Sequence, residues 1–396
     1  MTDVAAAVVA AGTESRARIV AGLIRVTGDW QLAEDCAQEA LALALEKWPG
    51  AGVPDNPGGW LATVARNRAI DVLRRATVER RKLAELALLT SGAEPAPASD
   101  DRLRLIFTCC HPALALEARV ALTLRTVAGV PTADIARAFL VTESTMTRRL
   151  TRAKTKIAEA RIPYRVPSGP ALTERLPGVL GVLYLLFTRG YDADGEPAFA
   201  AEAIRLARLL AQLMPDQPEV RGLLALFLLQ HSRRDARRDA DGNLLTLDRQ
   251  DRTRWDHEAI AEARSLLPAP AGPYAVQAHI AACHTADVTD WPRIAALYDR
   301  LVALVPSPVV RLNRAVAHGY AHGPAAGLAL LAEARAAGGL DEYPLAIAAE
   351  ADLTARAGDR DRAVALFEQA AAAAASAAER RALLARAEEL TGEQET

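Results

Sequence analysis

NPGGWLATVARNRAIDVLRR, residues 56–75, joins the start signals of a helix to a stripe of side chains suited to nucleic acid. Asn56 can accept from the orphan amides of a first turn, and Pro57 fits the first helical position because the N–H it lacks would have no partner there. Gly58 and Gly59 loosen that start. At 100° per residue Leu61, Val64, Ala65, Ala69 and Val72 share one face, which predicts a packed side. Trp60, Asn67 and Arg74 fall on another, with seven-residue spacing that sets an aromatic plane, an amide and a guanidinium two turns apart. Those groups stack a base, read its edge and hold a phosphate. An amphipathic helix with a solvated basic side and a half-buried Trp produces the same pattern, so this stretch alone leaves both readings open.

The chain around it has 396 residues, too many for one ordinary core, which predicts two or three domains. Ala and Leu dominate, β-branched alternation is scarce, and Pro and Gly cluster as punctuation, so the fold class reads as all-α. A formal net charge of −2 argues against nucleic acid until its distribution is considered. Residues 64–82 and 144–161 each carry a net +5, leaving −12 for the remainder. Two basic islands on an acidic chain suit contact with DNA at two places and with proteins elsewhere. Four cysteines, two of them adjacent, do not make a disulfide framework. No apolar run reaches membrane-spanning length and the N-terminus carries an acid where a secretion signal needs a base, so the expectation is a cytoplasmic protein with no membrane partner.

Residues 1–27 read as a first helix with Ile19, Leu23 and Ile24 inward and Arg16, Arg18 and Arg25 outward, broken at Gly28. From Asp29 to Trp48 a second helix buries Leu32, Cys36, Ala40 and Leu43, with Glu34, Asp35, Gln38, Glu39 and Glu46 on other faces, a pattern that a solvated acidic side explains by itself. Pro49–Gly59 reads as the turn that follows. The pair DWQLAEDCAQEALALALEKW and PGGWLATVARNRAIDVLRR resembles regions 2.2 to 2.4 of an extracytoplasmic-function (ECF) sigma factor of bacterial RNA polymerase. The resemblance implies that Asp35, Gln38 and Glu39 dock on the coiled coil of the polymerase β′ subunit. It also implies that Trp60, Asn67, Asp71, Arg74 and Arg75 act on the −10 promoter element, where unstacking a base must be repaid by a pocket.

Thr90–Asp101, rich in Pro, Ser and acids, reads as a flexible linker. Residues 102–161 follow as a second helical module. Cys109, Cys110 and His111 are contiguous and cannot all face one ion from a helix, so a packed helix end is the better reading and no metal or other cofactor is expected. In residues 122–157 Thr132 caps a short helix, a turn falls near Leu140–Thr142, and a second helix follows, a helix-turn-helix pattern. Met146, Leu150, Ala153 and Ile157 fix its buried face. Ser144, Thr145, Thr147, Arg148, Arg149 and Arg152 stay outside, ready for base edges and phosphates. Together with the earlier block this module resembles sigma region 4.2, which reads the −35 element.

More than half the chain remains. An apolar helix over 172–187 is followed by further helices. The acids Asp235, Asp239 and Asp241 with Asn243 do not fit a calcium loop, because the register puts Arg237 first and no Glu closes it. DRQDRTRWD, residues 248–256, is either an ion-paired helix start or a protein contact. Tyr298, Leu331 and Phe367 recur at about 34 residues, and the segment around Gly358 and Asp359 resembles a tetratricopeptide repeat. Residues 172–390 are similar to the C-terminal extension of an ECF subgroup.

The domain expectation is therefore 10–82, a linker at 83–101, a helix-turn-helix module at 102–161, and a tetratricopeptide-like extension at 172–390. The implied partners are core RNA polymerase, promoter DNA, and an unidentified protein or intramolecular partner for the repeats, with no catalytic residue. A helix-turn-helix activator that works beside a separate sigma factor is the rival reading; it leaves residues 56–75 idle. For an enzyme the chain offers no nucleophile elbow, phosphate loop or ligand set.

Overall fold

Helix α1, Thr2–Thr27, stops where Gly28 takes a left-handed φ of 69°, and α2 runs from Trp30 to Ala51 with Asp29 capping the Leu32 amide at 3.0 Å. The computed structural model describes residues 2–75, 98–139, 141–191, 197–239, 245–340, 343–374 and 377–392, and among these there are helices and turns and no strand. Chain contacts divide them into two units, Met1–Leu186 and Phe187–Thr396.

In the first unit α3, Pro57–Arg75, packs on α1 and α2. A Cβ on Gly58 would lie 2.4 Å from the Ser15 hydroxyl, so a larger residue there would force that side chain to turn aside. The second helix persists through Pro49 to Ala51, so the turn expected to begin at Pro49 begins at Gly52. The chain continues with α4 (Ala98–Cys109), α5 (Leu116–Leu122), a π-turn (Thr123–Ala128), α6 (Thr132–Ala138) and α7 (Glu143–Glu159). Residues 98–101, expected as linker, are thus helical, and 76–97 lie outside the described residues. Thr132 does not cap α6; it is the first helical residue, behind Pro131. Thr142 does cap α7, accepting from the Thr145 amide at 3.3 Å. Cys109 and Cys110 are buried at the end of α4, where burial pushes the Cys110 thiol up to about 11.

Helix α8, Pro170–Tyr191, begins in the first unit, where Arg175 donates to the Phe107 carbonyl. By length and composition it is the one described helix that could cross a membrane. Val179, Leu180, Val182 and Leu183 are almost fully buried inside the fold, as in the core helix of a folded domain.

The second unit is a series of antiparallel helices: α9 (Pro197–Leu213), α10 (Pro218–His231), α11 (His257–Leu266), α12 (Pro273–His284), α13 (Trp291–Leu304), α14 (Pro308–His322), α15 (Pro324–Ala336), α16 (Pro344–Arg356), α17 (Arg360–Ala373) and α18 (Ala377–Gly392). Tyr298, Leu331 and Phe367 sit in α13, α15 and α17, the second helix of three consecutive hairpins, and each packs into a local core. Gly358, with φ 96°, makes the turn that Asp359 then caps. Tight helix crossings demand glycine: a Cβ on Gly222 would lie 2.7 Å from the Ala275 amide, and one on Gly327 2.7 Å from Gly319. The result is a helical-repeat domain whose hairpins each rest on their neighbours.

Candidate nucleic-acid interface

The start of α3 is built as its sequence demands. Asn56 Oδ1 accepts from the Gly59 amide at 2.9 Å, and Pro57 is the first helical residue. Leu61, Ala65 and Ala69 are buried as expected; Leu73 joins them, and Val64 and Val72 are only half-buried at the stripe's edges. Opposite them Asn67, Asp71 and Arg74 are exposed. Trp60 is half-buried, its ring meeting the edge of the fully buried Trp48 at a centroid distance of 5.5 Å and 67° between planes. Trp60, Asn67 and Arg74 thus fall on one strip of α3, as the heptad spacing requires. The side chain of Arg75 lies outside the described ones.

Beside this strip α2 exposes Asp35, Gln38 and Glu39. Gln31 Nε2 donates to Asp35 at 2.9 Å, and Arg68 of α3 pairs with Glu39, a contact that raises the Arg68 guanidinium. In α7 Met146, Leu150, Ala153 and Ile157 are all buried. Ser144, Thr147, Arg148 and Arg152 are exposed, and Thr145 and Arg149 half-buried. Several hydroxyls already have partners. Thr145 Oγ1 is 2.9 Å from Thr142 Oγ1, and Thr147 Oγ1 donates to the Glu143 carbonyl at 2.9 Å. Arg149 reaches Glu117 at 3.3 Å. Arg148 and Arg152, with Lys156 one turn further on, are then exposed cations on this face.

Three residues correct the sequence reading, and all lie between the two modules. Glu34, expected on a solvated face, is 4% exposed. Its carboxylate accepts from Lys154 Nζ at 2.8 Å and from Thr126 Oγ1 at 3.2 Å. Lys154, counted in a basic island, therefore faces inward from α7. Arg16, expected outward, donates from Nη1 to the carbonyls of Arg125 at 3.0 Å and Thr126 at 3.4 Å. Burial, and then the neighbouring Arg125, hold its guanidinium below the ordinary range. Tyr164 adds a further tie, donating to the Ala21 carbonyl at 3.0 Å. Lys154 follows Leu150 by four residues, and Glu34 follows the buried Ala33, so both flank an apolar stripe; that position was the available signal.

Among the described residues no group of three or more His, Cys, Asp or Glu side chains is placed to hold a metal ion. Asp241 and Asn243 of the acid cluster lie outside the described residues.

Two small helical modules thus make up the first unit, one presenting an aromatic-amide-guanidinium strip and the other a helix-turn-helix. Residues 13–78 match the family model Sigma-70 region 2 and residues 104–157 match Sigma-70, region 4, matches that support a sigma-70 family member. Residues 175–271 match a further model described as a family of unknown function, DUF6596. An uncharacterized protein of Rhizobium meliloti (strain 1021) is 42% identical over 340 residues, 80% of this chain and 80% of that protein. The probable ECF RNA polymerase sigma factor SigI of Mycobacterium tuberculosis is 31% identical over 161 residues, which cover 39% of this chain and 55% of SigI. A crystal structure of yeast Tom70 superposes with a TM-score of 0.35 at 13% identity, over 94% of this chain and 82% of that one, a likeness too low to argue from.

Proposed function

We propose that this chain is an ECF-type sigma factor that joins core RNA polymerase, reads two promoter elements and helps to open DNA, with its helical-repeat domain as a regulatory module. The observation that carries the reading is that α3 and α7 each bury their apolar stripe and expose the polar one that nucleic acid would need. On α3, Trp60, Asn67, Asp71, Arg74 and Arg75 receive the −10 element, with Trp60 braced by Trp48 as a stacking plane. On α7, Ser144, Thr145, Thr147, Arg148, Arg149 and Arg152 face the −35 major groove, where Arg148 and Arg152 supply phosphate or guanine contacts. Asp35, Gln38 and Glu39 form the acidic patch offered to the polymerase β′ coiled coil. The site of action is the cytoplasm, and no cofactor takes part. Residues 10–82 and 102–161 are the two working modules.

Run-off transcription with sigma-free core polymerase, comparing the native chain with Asn67→Ala/Arg74→Ala, tests this. A start-site-specific transcript lost in the double variant, with core binding kept, supports it. No transcript until a housekeeping sigma factor is added would replace it with the activator reading.

A further inference from the structure

Between α10 and α11 the described residues 232–239 and 245–256 close on one another, with the Asp256 amide donating to the Ser232 carbonyl at 2.8 Å. The returning limb is anchored at one end. Trp255 is 4% exposed, and Asp256 caps α11 by accepting from the Ala259 amide at 2.9 Å. Ahead of that anchor, residues 245–254 reach helices far away in sequence. Arg252 donates to the carbonyls of Ala286 and Asp287, in the turn between α12 and α13. Arg249 forms a two-pronged pair with Glu389 of α18, one prong at 2.6 Å.

Between those contacts the helices present a continuous ladder. The Trp291 ring stacks on Tyr320 with centroids 4.3 Å apart and 29° between planes. The Tyr320 hydroxyl donates to Asp352 at 2.9 Å, and Arg356 lies 4.0 Å over the same ring. Arg386 bridges Asp352, at 3.7 Å, and Glu389, at 2.9 Å. Asp248 of the limb acts electrostatically on the Tyr320 phenol. Aromatic faces beside carboxylates are the surroundings that a planar guanidinium selects, by stacking and by forked hydrogen bonds.

The limb is held at its middle, where Gln250 is buried and donates to the Leu245 carbonyl, and most of its other side chains stay in water. Arg249 and Glu389 are 42% and 35% exposed, and Asp248, Asp251, Thr253 and Arg254 are exposed as well. Pairs of this kind are screened by water and salt. Trp255, by contrast, is fixed, so residues 245–254 can lift while their tether stays in place.

We propose that the ladder from Ala286 to Glu389 is a binding site for a peptide that folds into two short 3-10 turns bearing arginines three residues apart, and that residues 245–254, turned in this way at Leu247–Arg249 and Arg252–Arg254, occupy it as a tethered stand-in. A partner segment with that spacing enters by displacing the limb. The proposal is independent of the promoter-binding reading.

The probe is the labelled peptide LTLDRQDRTR, residues 245–254, titrated by fluorescence anisotropy against the full chain and against Arg249→Ala/Arg252→Ala. A tethered competitor acts at an effective concentration on the order of millimolar, so the released variant should bind the peptide at least about tenfold more tightly than the native chain. Glu389→Arg in the released background, or a peptide with both arginines replaced by alanine, should abolish the gain. Hydrogen exchange supplies the companion measurement: residues 245–254 should exchange faster in the released variant, with α12 to α18 unchanged. Equal affinity for both chains, binding that survives Glu389→Arg, or an unchanged limb in the double variant would each overturn the proposal.

Discussion

Two ion pairs join residues more than a hundred positions apart, and they do opposite work. Glu34–Lys154 in the first unit has side-chain exposures of 6% and 16%, and Thr126 donates to the same carboxylate. Arg249–Glu389 in the second is exposed at 42% and 35%. The chemistry is the same in both, and what differs is the water. A buried pair exacts a desolvation cost when either partner is removed alone, whereas an exposed one is replaced by solvent. The first therefore fixes two modules in one unit, and the second is a contact that can open and close.

The largest break should come from Lys154→Met, which strands the Glu34 carboxylate in the interior. We expect a loss of about 3–5 kcal/mol from the first unit, read by urea unfolding, with most of it recovered in Glu34→Leu/Lys154→Met. If the single and double variants lose equally, the pair is not the origin of the cost.

A smaller cost of buried charge is expected inside the second unit at His284. Burial, and then Arg233, bring its imidazole down to about 4 from an ordinary 6.5. The folded value lies below the unfolded one, so the unfolded chain binds the extra proton first. Stability is complete above pH 6.5 and falls as pH drops toward 4, by at most roughly 2 kcal/mol between pH 6.5 and 5. His284→Gln should flatten that part of the unfolding profile, and a profile of unchanged slope would assign the loss elsewhere.

The smallest effect should come from Arg249→Ala, with less than about 1 kcal/mol lost from the second unit. A larger loss, measured by thermal unfolding, would mean that the exposed pair is structural after all and would erase the contrast.

The same contrast governs how much was readable beforehand. The buried face of α7 was legible to the residue, because Met146, Leu150, Ala153 and Ile157 step regularly among hydroxyls and cations. The cap at Asn56, the break at Gly28 and the turn at Gly358 were legible because each depends on neighbours in sequence. Arg16, Glu34 and Lys154 were not. A charged side chain beside an apolar stripe looks the same whether it faces water or a partner a hundred residues away, and only the packed neighbour decides. Leu73 was missed for a milder reason, since one position along a helix turns a side chain by only 100° and Val72 stood next to it. Of the residues proposed for the −10 and −35 elements, the exposed polar strips were foreseeable from periodicity; that Thr145 and Thr147 already bond to their own helix and its cap was not. The limb at 245–254 showed in the sequence only as a density of Asp and Arg around Trp255, with nothing to point to Glu389.

The π-turn at Thr123–Ala128 carries one more consequence. Its end closes with the Gly129 amide on the Leu124 carbonyl, five residues back, and its two middle carbonyls accept from Arg16. Loss of a single residue there would let ordinary helical winding resume and swing those carbonyls by roughly 100°, away from Arg16. A three-nucleotide deletion, with no change of side-chain chemistry, would then be enough to unfasten the modules. Chain length at this turn is accordingly a heritable setting, and relatives that differ by one residue there should differ in how firmly their two modules hold together.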